Sequence, residues 1–120
     1  MRYQAIIIGF VSTLLAGCAG TLDKIQHSTL KAGFFSDSVE RTRDCIETEV
    51  MRRHFYLEDD EPLPGGSKRF NLLQNGNEVA NLDMSAVGSA TQVNFFYDER
   101  DTTLAAEVAG VIQHCQKALG

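Results

Sequence analysis

The stretch RFNLLQNGNEVANLDM, residues 69–84, decides the fold. Asn75-Gly76 divides it, and both residues tolerate the positive φ of a type I′ turn, so the two arms read as a β-hairpin. The second arm alternates: Ala80, Leu82 and Met84 fall on one side, Asn81 and Asp83 on the other. Residues 85–90 are small and read as another turn. Residues 91–97 then alternate again through Val93, Phe95 and Tyr97. The expectation is three strands, 69–74, 77–84 and 91–97, in an antiparallel meander with one apolar face.

Helices flank this meander. Upstream, residues 37–53 put Val39, Ile46 and Val50 on one stripe, with Cys45 at its edge. Asp37 and Glu40 have the spacing of a capping box. Glu40, Arg41, Arg43, Glu47 and Arg53 form the solvated side. Downstream, Leu104, Val108, Val111, Ile112, Cys115 and Leu119 make one clean helical stripe, with Thr102 or Thr103 as the expected cap. The predicted order is α-β-β-β-α. A one-sided sheet and two one-sided helices bury one another as two layers. The expected fold class is therefore α+β, a small two-layer domain over 36–120 with both helices on one face. Cys45 and Cys115 then meet between the helices, and a bridge closing a loop of about 70 residues contributes roughly 4 kcal/mol in the chain-entropy model.

Two other segments read as irregular. His54-Phe55-Tyr56-Leu57 is short and extended, and Glu58 to Gly66 is an exposed acidic loop broken by Pro62, Pro64 and two glycines. Residues 18–35 read as a tether. A short amphipathic helix through Leu22, Ile25 and Thr29, with Leu30 and Phe34 four apart, is the alternative there.

The N-terminus is different in kind. Arg2 gives a positive start, residues 5–15 are largely apolar, and small residues follow. The apolar run falls short of the ~20 residues needed to span a bilayer. Its end, Leu15-Ala16-Gly17-Cys18, resembles the lipobox of bacterial lipoproteins. That resemblance implies cleavage of residues 1–17, lipid on Cys18 and attachment to a membrane. Ala19 in place of aspartate implies the outer membrane, on its periplasmic side. The chain has three cysteines. Lipid on Cys18 leaves Cys45 and Cys115 as an even pair, suited to an oxidising compartment.

Removing 1–17 takes away only Arg2 among the charges, so the net charge of −5 becomes −6 over 103 residues. Such a domain is a poor partner for nucleic acid. Glu58 to Glu61 are consecutive carboxylates without the alternate spacing of a calcium loop. They are expected to be solvated and partly offset by Arg52 and Arg53. A second acidic cluster, Asp98, Glu99 and Asp101, is expected at the opposite end of the sheet. His27, His54 and His114 lack the spacing of a zinc site. Ser67 and Ser89 lack a nucleophile-elbow frame, and no phosphate loop is present. No metal, cofactor or catalytic residue is therefore assigned, and the chain is read as a non-enzyme.

The surplus feature is apolar. Phe95, Phe96 and Tyr97 are consecutive, so Phe96 faces away from the helices, with Leu73 and Val79 as expected companions in a contact surface. The expected partner is an envelope protein. Small outer-membrane assembly lipoproteins are similar in general design, although this chain departs from them by ending in a helix. The alternative is an inhibitor or immunity protein that blocks a wall hydrolase or toxin with its acidic loop.

Overall fold

The computed structural model describes residues 27–120. The expected leader, Cys18 and the first part of the expected tether lie outside those residues. The described elements are β1 (Ser28–Phe35), α1 (Val39–Arg52), β2 (Tyr56–Asp59), β3 (Lys68–Gln74), β4 (Asn77–Val87), β5 (Ala90–Asp98) and α2 (Thr102–Leu119). The fold is α+β, with two helices and a five-stranded antiparallel sheet in the order β1-β5-β4-β3-β2.

The expected three-stranded meander is its centre, and the count of three is corrected to five. β1 adds to one edge beside β5, and β2 to the other beside β3. Both edge strands hide their pattern. In β1 only Gly33 and Phe35 are buried. Gly33 lies directly under α2, where an added Cβ would sit 3.0 Å from Ile112 Cγ2, so the position facing the helix carries no apolar side chain to reveal the alternation. Residues 28–35, read as tether, are thus an integral strand. In β2 the single buried side chain is Leu57, and one residue cannot display a period.

Asn75 and Gly76 adopt φ of 53° and 79°, the pair of positive values that a type I′ turn requires. Such a turn pairs Leu73 with Glu78, but further along Leu72 pairs with Ala80 and Phe70 with Leu82. A bulge at Val79 absorbs the extra residue. It brings Phe70 and Leu72 onto the same face as Ala80, Leu82 and Met84, all of them buried. β5 supplies Val93 and Phe95, both fully buried, to this face.

Both helices cover that face. Ile46 and Val50 of α1 and Leu104, Val108, Val111, Ile112 and Cys115 of α2 complete one core. Cys45 and Cys115 are bridged between the helices, with Cα atoms 5.9 Å apart, inside the usual range. The caps differ from expectation. Ser38, not Asp37, caps α1 and accepts from the Arg41 amide at 3.2 Å. Asp101, not a threonine, caps α2 and accepts from the Leu104 amide at 3.0 Å. Asp37 instead supplies the carbonyl that accepts from buried Thr91 Oγ1 at 2.8 Å.

α1 ends in a Schellman motif. The Phe55 amide donates to the Val50 carbonyl at 2.8 Å and the His54 amide to the Met51 carbonyl at 3.0 Å. His54 occupies the left-handed position, with φ of 69°, where a Cβ is unfavourable by roughly 1–2 kcal/mol. Replacing it with glycine also adds freedom to the unfolded chain. His54→Gly is therefore expected to stabilise the domain by about 0.5–1 kcal/mol in urea unfolding; a loss of stability would show that the imidazole makes a compensating contact. Reducing the bridge in unfolding experiments, or replacing Cys45 and Cys115 together by alanine, is expected to cost about 2–5 kcal/mol, and unreduced, alkylated protein should show neither thiol by mass spectrometry.

Candidate functional site

The sheet has one face under the helices and one face that no described element covers. The alternation places Leu30, Ala32 and Phe34 of β1, Phe96 of β5, Val79 and Asn81 of β4, Asn71 and Leu73 of β3, and Tyr56 of β2 on this open face. Its middle is polar and internally paired. Arg69 grips Asp83 through two bonds, 2.7 and 3.0 Å, a bidentate geometry that fixes both planes. Asn81 Nδ2 donates to Asn71 Oδ1 at 2.8 Å, and Asn71 Nδ2 donates to Glu58 Oε1 at 3.1 Å. Ser67 and Ser85 share a hydroxyl bond of 2.7 Å.

An apolar band crosses the sheet beside this polar row. Leu30 pairs with Phe96, Phe96 with Asn81, and Leu73 with Tyr56. Val79, pushed out by the bulge, lies between the two halves. Phe96 and Val79 line a depression of about 280 Å³ with Ser28, Glu78, Asn81 and Asp98. Phe96, Leu73 and Val79 are half-buried, whereas Leu30 and Tyr56 at the two edges are 52% and 59% exposed. The band is thus a chain of apolar groups spanning five strands. The residues chosen from the sequence are its middle, and its ends escape a sequence reading that does not find β1 and β2.

The acidic loop rims a second, charged hollow of about 500 Å³ between α1 and the β2–β3 connection, lined by Glu40, Arg43, Asp44, Asp59, Asp60 and Lys68 over Phe70. Arg43 offsets the loop, with its Nη2 3.2 Å from Asp59 Oδ1 and its guanidinium 5.5 Å above the Phe70 ring. The expected partners Arg52 and Arg53 are engaged elsewhere. The other acidic cluster is divided among local tasks: Asp98 holds Arg100 at 2.7 Å, Glu99 lies 3.7 Å from His27 Nδ1, and Asp101 is the α2 cap. Arg100, through its side chain and its amide, lowers the Asp98 carboxyl to about 2. Asp59 pairs with Phe70 and Asp98 with Ser28, so the two clusters occupy opposite ends of the sheet. Among the described residues no three His, Cys, Asp or Glu side chains gather into a metal-sized site.

An ion cluster around one buried carboxylate between the helices escapes sequence reading. Glu49 is 2% exposed and takes Arg52 Nε and Nη2 at 2.8 and 2.6 Å and Arg53 Nε at 2.8 Å. Arg53 continues to Glu107 on α2 at 3.2 Å, and His114 Nε2 stands 3.6 Å from Glu49. Gly110 makes room: a Cβ there would meet Arg53 Nη1 at 2.6 Å. The one signal in the sequence is Glu49 falling one turn after Cys45, on the side that faces α2. The hydrogen bond from Arg52, then that from Arg53, outweigh burial and bring the Glu49 carboxyl from 4.5 down to about 2.

No protein-family model and no curated protein sequence matches this chain. No helix among the described residues is long and apolar enough to cross a membrane.

Glu49→Gln keeps the shape and removes the charge. It is expected to cost about 1.5–3 kcal/mol at pH 7, the range for hydrogen bonds to charged groups. The Glu49 pKa is lowered by folding, so its contribution is complete above about 4.5 and is lost as the pH falls towards 2. Urea unfolding of both proteins across this range should show the gap closing with acid; a constant gap would assign the loss to packing.

Proposed function

We propose that the chain is an envelope lipoprotein, held at the outer membrane by lipid on Cys18, whose domain works by binding another envelope protein through the open sheet face. The observation that carries the binding role is the apolar band Leu30–Phe96–Val79–Leu73–Tyr56, which no described element covers. Half-exposed aromatic and aliphatic side chains beside a fixed polar row resemble the mixed composition of contact surfaces. The lipobox supports the anchor, and so does the Cys45–Cys115 bridge, which leaves Cys18 as the odd cysteine. An anchor confines the domain to a surface and raises its effective concentration towards neighbours there.

A second reading rests on the charged hollow. Its acidic rim at Asp59 and Asp60 suits an inhibitor or immunity protein that presents carboxylates to a basic cleft. Neighbouring genes for a wall hydrolase or toxin would favour it, and genes for envelope assembly would favour the first reading.

Cells labelled with palmitate are expected to mark the wild-type protein and not Cys18→Ser; equal labelling would remove the anchor. A photoreactive side chain at position 56 or 96 is expected to capture an envelope protein, and one at Gln113, exposed on α2, is not. Phe96→Asp should abolish capture from position 56 while the Cys45–Cys115 bridge stays formed. Capture that survives this change moves the contact off the band, with the acidic loop as its next location.

A further inference from the structure

The two edges of the sheet are unlike. β2 is four residues long and acidic, with Glu58 and Asp59 in the strand and Asp60 and Glu61 after it. Short length and charge are the usual protections of an edge. β1 has eight residues, pairs with β5 without a register shift, and carries Lys31 as its one charge. Its open-face side chains include Leu30 and Phe34, 52% and 53% exposed.

The backbone of β1 has a defined outward set. The His27 carbonyl accepts from the Glu99 amide at 2.8 Å, so His27 and Glu99 form a hydrogen-bonded pair. Antiparallel bonding alternates with period two. Thr29, Lys31, Gly33 and Phe35 therefore bond towards β5, and Ser28, Leu30, Ala32 and Phe34 direct their N–H and C=O groups to the outer edge. Gln116 Nε2 reaching the Phe34 carbonyl from that side, at 3.3 Å, agrees with this assignment.

The geometry points to a two-fold dimer of this chain in which β1 pairs antiparallel with β1 of a second copy, Ala32 opposite Ala32 across the axis. This register is selected by the side chains. It sets Leu30 against Phe34 of the partner copy, twice, on the open face, a favourable cross-strand pair. It sets Lys31 against Gly33. A shift that centres the axis on Lys31 would oppose two like charges, and a shift that pairs Leu30 with itself carries Phe34 past the end of the partner copy's β1. The chosen pairing forms about six inter-strand hydrogen bonds, replaces the single exposed Gln116 bond, and joins two five-stranded sheets into one. It is isologous and closes on itself. The acidic β2 edge, four strands away, stays at the far side of each copy. For a chain of net charge −5 this keeps the acidic β2 edges of the two copies apart.

The test uses the full chain in cells, where the pairing stands or falls independently of any other envelope partner. With Ala32→Cys, facing thiols have Cα atoms about 5.5 Å apart, within disulfide reach. Mild oxidation is expected to give roughly tenfold more disulfide-linked dimer from Ala32→Cys than from the parent chain or Gln113→Cys. Differently tagged copies carrying Leu30→Cys and Phe34→Cys should form the mixed disulfide in preference to either homodimer. Adding Ala32→Lys should abolish that mixed disulfide while Cys45–Cys115 remains bridged. Dimer no more abundant from position 32 than from 113 would overturn the proposal, whether the edge is then solvated or takes a strand of another protein. Preferential linkage of Leu30→Cys to itself would overturn the register.

Discussion

The pairing of two helices on one face of the sheet is the constraint from which the rest of this molecule follows. A five-stranded antiparallel sheet has two broad faces, and two helices of 14 and 18 residues cover one of them. Three kinds of interaction hold the helices side by side. Apolar side chains from both enter one core, a covalent bridge joins Cys45 to Cys115, and Glu49 gathers charges from α1 and α2 around Arg53. The first is non-directional and would allow the helices to slide. The bridge and the ion cluster fix rotation and register, and Gly110 lets the Arg53 guanidinium lie against the α2 backbone. Because the helices stay together over one face, no described element covers the other.

That open face is organised differently from the core. Its centre uses directional bonds, Arg69 to Asp83 and Asn81 to Asn71 to Glu58, to hold polar side chains in place beside the apolar band. The apolar groups are displaced to a band and to the β1 edge. The polar groups at this centre satisfy one another, and the apolar groups beside them are left half-exposed or exposed by the described elements.

Legibility in the sequence follows the number of buried positions in each element. β4 and β5 each bury three alternate residues and are readable, as is α2 with its long stripe. β1 buries Gly33 and Phe35 and β2 buries Leu57, too few to establish a period, so both edges read as irregular. The bulge is readable in principle. A two-residue Asn75-Gly76 turn sets Phe70 opposite Leu82 only if one residue is skipped, since the strict register would oppose Arg69 to Leu82. The mismatch of one between the apolar sets of the two arms is the signal for Val79. The apolar band is half legible: Phe96 on the outer face follows from alternation alone, but Leu30 and Tyr56 depend on strands that only tertiary pairing creates. Glu49 is illegible for another reason, since a carboxylate on a helix reads as solvated until a second helix closes over it.

The bridge also divides the chain topologically. It closes a covalent ring from Cys45 to Cys115 that contains β2, β3, β4, β5 and most of both helices. β1 lies outside the ring, joined to the sheet by backbone hydrogen bonds to β5 and by the packing of Gly33 and Phe35. Tension entering from the N-terminal side at His27 therefore meets β1 first and is borne by that ladder before any of it reaches the closed loop. The domain has a mechanical order: a strand that can be drawn off, and behind it a body that cannot be extended past Cys45 without breaking a covalent bond.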